Sequence, residues 1–202
     1  MVVIVDYNMG NLGSISNMLK KIDVDGVISS DPDTIYQADK LILPGVGSFD
    51  EGMRSLSNSQ LLPVIEKKVF GELTPILGIC LGMQLFANKS EEGTLSGLGW
   101  IDSEVRRFSF QDSNLKVPHM GWNWVKELKC DPLLNDMPDP SKFYFVHSYY
   151  FSCNETSDGL LSTHYGHDFV SGVKKNNIIG VQFHPEKSHK YGMKLLENFA
   201  SL

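Results

Sequence analysis

The sequence is poor in cysteine, has no excess of basic residues and contains no long apolar run. Only three of its 202 residues are cysteines, and Cys80, Cys130 and Cys153 lack the close spacing of a zinc knuckle or a dithiol motif. A disulfide framework is not expected in a chain of this length with so few cysteines. This favours a reducing compartment, and we expect a cytoplasmic protein.

Charge and hydropathy argue against two further classes of protein. The 18 Lys and Arg residues against 24 Asp and Glu residues give a formal charge of −6, whereas a nucleic-acid binder carries a basic face. No run approaches the roughly 18 apolar residues of a membrane helix. Met1 is followed at once by VVIVD, without the cationic region of a signal peptide. We therefore expect neither a nucleic-acid nor a membrane partner.

The chain has enough apolar material for a core, with 42% hydrophobic and 21% charged residues. Its length suits one domain, and we predict a single domain over residues 1–202. In the first half, β-branched runs alternate with helical stripes. The predicted strands are 2–6, 24–29, 40–45 and 75–79; the predicted helices are 15–22, 61–69 and 81–89, with a turn or short helix at Asp31-Pro32. Such alternation predicts an α/β fold with a parallel sheet and right-handed crossovers.

The residue pattern of the sequence changes near residue 97. Short aromatic and β-branched segments follow one another and predict antiparallel strands, in a second sheet or as an extension of the first. Gly192, Leu195, Leu196 and Phe199 then fall at helical spacing. They predict a closing helix that packs on the core.

One cysteine has the surroundings of a nucleophile. Cys80 stands in Gly78-Ile-Cys80-Leu-Gly82, between a predicted strand and a predicted helix. This is the cysteine form of the nucleophile elbow, in which a sharp turn presents the sulfur at a helix N-terminus and glycines avoid collisions. A cysteine is more often a small buried hydrophobe. We keep that interpretation for Cys130 and Cys153, which lack such a turn.

Histidine is the usual base for cysteine chemistry on acyl groups. His184 ends an apolar strand and is followed by Pro185 and Glu186. In an extended chain, residues i and i+2 project to the same side, so the carboxylate can orient the imidazole. A Cys–His–Glu triad is therefore available. The alternative is a strand-ending turn with solvated side chains, and His147 is the second candidate base.

Two further segments suit a reaction at the sulfur. The loop of residues 44–47 follows a strand, and its glycines let a backbone N–H approach an oxyanion, as the N–H of Leu81 also would. Gln84 lies one helical turn after Cys80 and could bind the polar end of a small substrate. Taken alone, each is better explained as an ordinary turn or a surface glutamine.

Six segments together resemble a known family. They are VDYNMGNLGSI (5–15), LPGVGSFDEGM (43–53), GICLGMQLF (78–86), VPHMGWN (117–123), FYFVHSYY (143–150) and VQFHPEKS (181–188). The elbow and the HPE segment resemble those of class I, triad-type glutamine amidotransferases. The other segments are similar to those of the glutaminase subunits of imidazole glycerol phosphate synthase, in the same order over nearly the whole chain.

The resemblance implies a fold and a chemistry. The fold is flavodoxin-like, an open and mostly parallel sheet with helices on both faces, plus antiparallel strands in the second half. The chemistry is hydrolysis of L-glutamine through a cysteinyl thioester. Cys80 attacks the side-chain amide, His184 transfers the proton, and Glu186 orients His184. The backbone of Leu81 and that of Val46 or Gly47 hold the oxyanion.

The resemblance also implies binding residues and a partner. Gln84, the backbone of Ser148 and Tyr149, and Gly47 bind the amino-acid end of glutamine, with no metal or organic cofactor. Ammonia passes to a (β/α)8-barrel cyclase subunit of histidine biosynthesis in a heterodimer. The residues expected to meet this partner are Asn8, Asn11, Met120, Trp122 and Lys187. Of Trp122 and Trp124, we expect one to face the core and Trp122 to face the partner.

Three alternatives remain open from the sequence. A paralogous glutaminase with the same motifs would feed ammonia to another synthase, such as a sugar amidotransferase of cell-surface polysaccharide synthesis. A cysteine hydrolase or peptidase on a similar fold would use the same triad on another substrate. A non-catalytic binding subunit would leave the nucleophile, base and orienting carboxylate without a role.

Overall fold

The computed structural model describes residues 1–110 and 115–202. The strands are β1 (Val2–Val5), β2 (Gly26–Ser29), β3 (Lys40–Leu43), β4 (Ile76–Ile79), β5 (Lys89–Ser90), β6 (Ser103–Arg107), β7 (His119–Glu127), β8 (Ser141–His147), β9 (Tyr149–Cys153), β10 (Gly159–Tyr165), β11 (His167–Lys175) and β12 (Ile178–Val181). The α-helices are α1 (Leu12–Lys21), α2 (Pro32–Tyr36), α3 (Phe49–Asn58), α4 (Leu62–Glu66), α5 (Leu81–Gln84) and α6 (His189–Ser201).

The sheet is parallel at one side and antiparallel at the other. Strands β2, β1, β3, β4 and β12 lie side by side and are all parallel. From β12 the sheet continues antiparallel through β11, β10, β7 and β8, while β9 branches from β11 and pairs with β6. The predicted α/β fold with added antiparallel strands is confirmed. One detail differs, because β12 belongs to the antiparallel half by sequence yet pairs in parallel with β4.

Helices cover both faces of the parallel strands, as expected. In β1, Val3 and Val5 pack into one buried cluster, whereas Val2 and Ile4 pack into another. This alternation is the two-residue period of a strand that is buried on both sides. The first cluster includes apolar residues of α2, α3 and α4, and the second includes those of α1 and α6.

The first-half helices differ from the prediction in three places. Helix α5 ends at Gln84 instead of reaching residue 89, because the carbonyls of residues 85–88 accept hydrogen bonds from residues 97–101. The predicted helix over 61–69 is the short α4, followed by a π-helical turn over Lys67–Gly71. The stripe of Phe49, Met53 and Leu56 forms α3, which the sequence analysis did not anticipate.

The closing helix is confirmed as α6, with the four residues of its predicted stripe buried. Over residues 1–110 and 115–202, no helix combines the length and apolar character needed to cross a membrane. The topology brings the carboxyl ends of three neighbouring strands, β3, β4 and β12, to one edge of the sheet. Open α/β sheets place their sites at this edge.

Candidate active site

Cys80 forms a strained turn at the carboxyl end of β4, the strand that lies between β3 and β12. Its backbone has φ 55° and ψ −110°, which non-glycine residues rarely adopt. The Cys80 N–H donates to the carbonyl of Val181 at 2.8 Å, so the turn is tied to β12. The residue immediately before α5 therefore carries its sulfur at the sheet edge, as the elbow motif predicts.

The two flanking glycines are required by close backbone packing. A Cβ on Gly82 would lie 1.9 Å from the carbonyl oxygen of Leu43, at the end of β3. A Cβ on Gly78 would lie 2.7 Å from the backbone nitrogen of Met83. Both positions exclude a side chain, so the spacing Gly-x-Cys-x-Gly follows from the fold of the turn.

A cavity of about 330 Å³ opens above the sulfur. Its lining includes eight residues that the sequence analysis assigned to catalysis, the oxyanion or the substrate: Val46, Gly47, Cys80, Leu81, Gln84, Ser148, Tyr149 and His184. Leu81 begins α5, so its N–H has no acceptor within that helix. The structure thus brings these residues to one place, and their individual roles stay predictions.

The imidazole of His184 is paired with the carboxylate of Glu186. Nδ1 and Oε1 are 2.7 Å apart, and each side chain is only 2% exposed. The two side chains meet because residues Pro185–Lys187 form a 3₁₀ turn. The sequence predicts that the two side chains share one side of an extended chain, and that geometric reason was wrong.

The charge state of His184 is set by opposing effects. Burial lowers its pKa, but favourable interactions with the nearby Cys80 and with the hydrogen-bonded carboxylate of Glu186 outweigh this and raise the pKa to about 10. With Nδ1 engaged by Glu186, Nε2 is left as the nitrogen that can exchange a proton with Cys80. Among the described residues this Nε2 is buried and has no hydrogen-bond partner.

His147 is engaged elsewhere through both of its ring nitrogens. Its Nδ1 lies 2.7 Å from the carbonyl oxygen of Tyr149, and its Nε2 lies 2.9 Å from Nδ1 of His119. Burial lowers the pKa of His147 to about 3 and that of His119 to about 4, so both rings are neutral at pH 7. His147 therefore has no free nitrogen with which to act as the base.

Two further polar residues of this site, Glu92 and Gln182, were given no role from the sequence. Glu92 lines the cavity, and its Oε2 accepts a hydrogen bond from the N–H of Phe49 at 2.8 Å. Gln182 is fully buried, and its Nε2 lies 3.7 Å from the sulfur of Cys80. Gln182 stands two residues before His184 in a motif already singled out, so its place in that motif was a usable signal. Glu92 had none, because it reaches the site only through the fold.

The residues expected at a partner interface are exposed. Asn8, Asn11 and Lys187 lie at the surface, and the side chain of Asn11 also caps α1 through the N–H of Ser14. Met120 is 61% exposed. Their contact with a partner stays a prediction.

The expectation that one of the two neighbouring tryptophans faces the core was wrong. Trp122 is 42% exposed and Trp124 is 53% exposed. Residues i and i+2 of a strand share a face, and both lie on β7. Trp122 stacks on His189 with ring centroids 5.6 Å apart, at the start of α6.

The comparison with protein families agrees with this geometry. The model of "Glutamine amidotransferase class-I" matches residues 3–201. The chain belongs to the class I glutamine amidotransferase family. It is 54% identical over 199 residues to "Imidazole glycerol phosphate synthase subunit HisH 2" of Methanococcus maripaludis, covering 98% of each chain. It is 48% identical to the protein of the same description from Pseudomonas aeruginosa, covering 100% of both chains. The resemblance found in the six motifs is confirmed.

Solved structures share the fold. A crystal structure described as that of a glutamine amidotransferase superposes with a TM-score of 0.75 at 16% identity, covering 100% of both chains. The structure of PurLQS from Thermotoga maritima gives a TM-score of 0.72 at 18% identity, covering 99% of this chain and 97% of that one. Both support the class I glutamine amidotransferase fold.

The close contact at Gly82 predicts a loss of stability on substitution. We expect Gly82→Ala to lower the free energy of unfolding by about 3 kcal/mol, because the new methyl group must displace the Leu43 backbone. Gly13→Ala is the matched control, since a Cβ there meets no atom within 4 Å and α1 gains about 0.5–1 kcal/mol from losing a glycine. Urea denaturation measures both. Equal stability of the two variants would contradict the packing account.

The raised pKa of His184 predicts a specific titration. Because it lies above the ordinary 6.5, the group contributes stability that is complete below pH 6.5 and is lost as the pH rises through about 10. In Cys80→Ser the hydroxyl stays neutral, so we expect the pKa of His184 to fall. Imidazole NMR titration of both proteins measures it. An identical His184 titration in wild type and Cys80→Ser would show that the sulfur does not stabilise the imidazolium.

Proposed function

We propose that this protein is the glutaminase subunit of an imidazole glycerol phosphate synthase, acting in histidine biosynthesis. It hydrolyses L-glutamine to glutamate and ammonia and delivers the ammonia to a cyclase subunit. The observation that carries the glutaminase chemistry is the single cavity that holds the Cys80 sulfur and His184, which is backed by Glu186. The full-length similarity to HisH subunits supports the pathway.

The first half of the reaction forms a thioester. The Cys80 sulfur attacks the side-chain amide carbon of glutamine, and the carbonyl oxygen becomes an oxyanion held by the N–H of Leu81 and one from the Val46–Gly47 loop. His184, which carries the proton taken from the thiol, gives it to the amide nitrogen. The carbon–nitrogen bond then breaks and ammonia leaves.

The second half releases glutamate. A water molecule gives a proton to Nε2 of His184 as its oxygen attacks the thioester carbon. The carbon–sulfur bond breaks, glutamate forms, and the proton returns to the sulfur. Glu186 holds the ring through Nδ1, so that Nε2 is directed at the reacting atoms.

The cavity suits a free amino acid. Glu92 supplies a carboxylate at its wall, which attracts the α-ammonium group of glutamine. The amide nitrogen of Gln84 already donates to the carbonyl of Tyr149 at 3.2 Å and to Oε1 of Gln182 at 2.9 Å. Its own oxygen is therefore what Gln84 offers to the substrate, and that oxygen is an acceptor for the same ammonium group. Ser148 and Tyr149 also line the cavity, and their backbone groups complete the binding site for the amino-acid end.

We further propose that the acceptor of ammonia is a (β/α)8-barrel cyclase that docks on the exposed surface around Trp122. Met120, Trp122 and Trp124 form an apolar centre, and Lys142 places its Nζ 5.6 Å from the Trp122 ring. Apolar anchors with a polar rim are typical of interfaces. A nucleophilic thiol must stay reduced, so we place the complex in the cytosol.

Loss of the nucleophile should abolish glutamine hydrolysis. We expect Cys80→Ser to lower kcat/KM by about 10⁴-fold or more, because removal of a catalytic nucleophile has effects of this order. Cys130→Ser, which changes an exposed thiol, is the control and should keep full activity. Glutamate release is measured with and without the cyclase, and a glutamine-like diazo ketone should label Cys80 alone. Persistent hydrolysis by Cys80→Ser would reject the assignment.

The docking surface is tested by binding. We expect Trp122→Ala to weaken affinity for the cyclase by about 30-fold, since buried tryptophan anchors contribute about 2 kcal/mol or more. Leu73→Ala is the control, because Leu73 is exposed just before β4, at the opposite edge of the sheet from Cys80. Titration calorimetry gives both values. Wild-type affinity in Trp122→Ala would place the interface elsewhere.

A further inference from the structure

Gln182 is a buried amide beside Cys80, and the Cys–His–Glu triad gives it no role. It follows β12 and precedes His184 by two residues, and its side chain is fully buried. A buried amide needs partners for both its oxygen and its nitrogen. Its oxygen is 2.9 Å from Nε2 of Gln84, and its nitrogen is 3.7 Å from the sulfur of Cys80.

The orientation of Gln182 follows from a backbone carbonyl. The oxygen of Tyr149 can only accept, so the atom of Gln84 that lies 3.2 Å from it must be the NH₂ group. The second hydrogen of that NH₂ group points to Gln182, so the atom of Gln182 that accepts it must be the amide oxygen. The NH₂ group of Gln182 is then the end that faces the sulfur. Turning either amide around would oppose two donors or two acceptors.

The Tyr149 carbonyl is itself held from a second side. Nδ1 of His147 lies 2.7 Å away and must carry the hydrogen, so the neutral ring presents Nε2 as an acceptor to Nδ1 of His119. Asn123 completes the series, with its Nδ2 3.1 Å from Nε2 of His119 and 2.9 Å from the carbonyl of His164. Two independent donors therefore fix the carbonyl that sets the direction of both glutamines.

We propose that Gln182 is a catalytic residue of this site: its amide N–H donates a hydrogen bond to the Cys80 sulfur and stabilises the thiolate. This rests on the glutaminase function proposed above and adds a residue to it. The sulfur is negative before it attacks the amide and again when it leaves the thioester. A preorganised donor that is held in place by Gln84 lowers the free energy of both charged states.

The effect of the Gln182 hydrogen bond on Cys80 can be separated from the effects of the other groups that face the sulfur. Cys80 raises the pKa of His184, and it also raises the pKa of the Tyr7 hydroxyl, although burial is the larger cause for Tyr7. Tyr7 donates its proton to the carbonyl of Pro44 at 2.6 Å, so it is turned away from the sulfur. Neither group changes in a Gln182 variant.

The test is the pH dependence of Cys80 alkylation by iodoacetamide in the absence of glutamine. Gln182→Met keeps the side-chain length and removes the donor, and we expect the alkylation midpoint to rise by about one pH unit. Gln182→Glu should raise it further, because a carboxylate repels the thiolate. Mass spectrometry distinguishes Cys80 from Cys130 and Cys153.

A matched control separates chemistry from stability. Thr163→Val breaks a buried hydrogen bond of 2.8 Å between Thr163 and Ser171 on β10 and β11, and it should leave the midpoint unchanged. An unchanged midpoint in folded Gln182→Met would overturn the proposal. If that variant does not fold, the side-chain amide protons of Gln182 in the wild-type protein decide by NMR. They should titrate together with Cys80, and the absence of any shift would overturn the proposal.

Steady-state kinetics give an independent readout. We expect Gln182→Met to lower kcat for glutamine about 10-fold with little change in KM, since the amide contacts the sulfur and not the substrate. Gln84→Met should instead raise KM. A shifted midpoint in a protein that does not hydrolyse glutamine would reject the proposed function alone. Glutamine hydrolysis with an unshifted midpoint in Gln182→Met would reject this role of Gln182 alone.

Discussion

The carbonyl oxygen of Leu43 lies where any side chain on residue 82 would have to be, and the rest of the site depends on this contact. Through this contact the end of β3 packs directly on the first turn of α5. The loop that follows Leu43 therefore lies against the turn that carries Cys80. The strained backbone of Cys80 is kept in place by such packing and by its hydrogen bond to β12. The position of the sulfur is thus determined by backbone atoms of three strands.

Two ionisable side chains, those of His184 and Glu186, are buried at the same edge of the sheet. A buried carboxylate without a partner would be costly, but Glu186 is paired with His184, whose charge is favoured in turn by the sulfur. Beside this pair lie two neutral series of hydrogen bonds, one through amides and one through imidazoles, which meet at the Tyr149 carbonyl. The ionisable side chains of His184 and Glu186 lie together, and neutral hydrogen bonds hold Gln84 and His147 at the Tyr149 carbonyl.

The sequence was most informative where a local rule leaves few choices. Glycines on either side of Cys80 could be understood before the fold was known, and so could the stripe of α6 and the β-branched strands of the parallel sheet. Long-range hydrogen bonding could not be predicted in the same way. Helix α5 is cut short by residues 97–101, and Glu92 reaches the cavity from a segment with no distinctive local pattern. Trp122 and Trp124 were expected on opposite faces of a strand. They are two residues apart on β7 and therefore share one face, so the strand was predicted correctly and the direction of one side chain was not.

The three strands that meet at the site are neighbours in space but far apart along the chain. Residue 43 ends β3, residue 80 follows β4, and His184 lies just beyond β12, the last strand to be synthesised. Because β12 pairs directly with β4, a nascent polypeptide that stops short of β12 contains Cys80 but not its neighbour His184. A chain that ends before β12 therefore lacks the imidazole–carboxylate pair, and this edge of the sheet can assemble completely only after β12 has paired with β4.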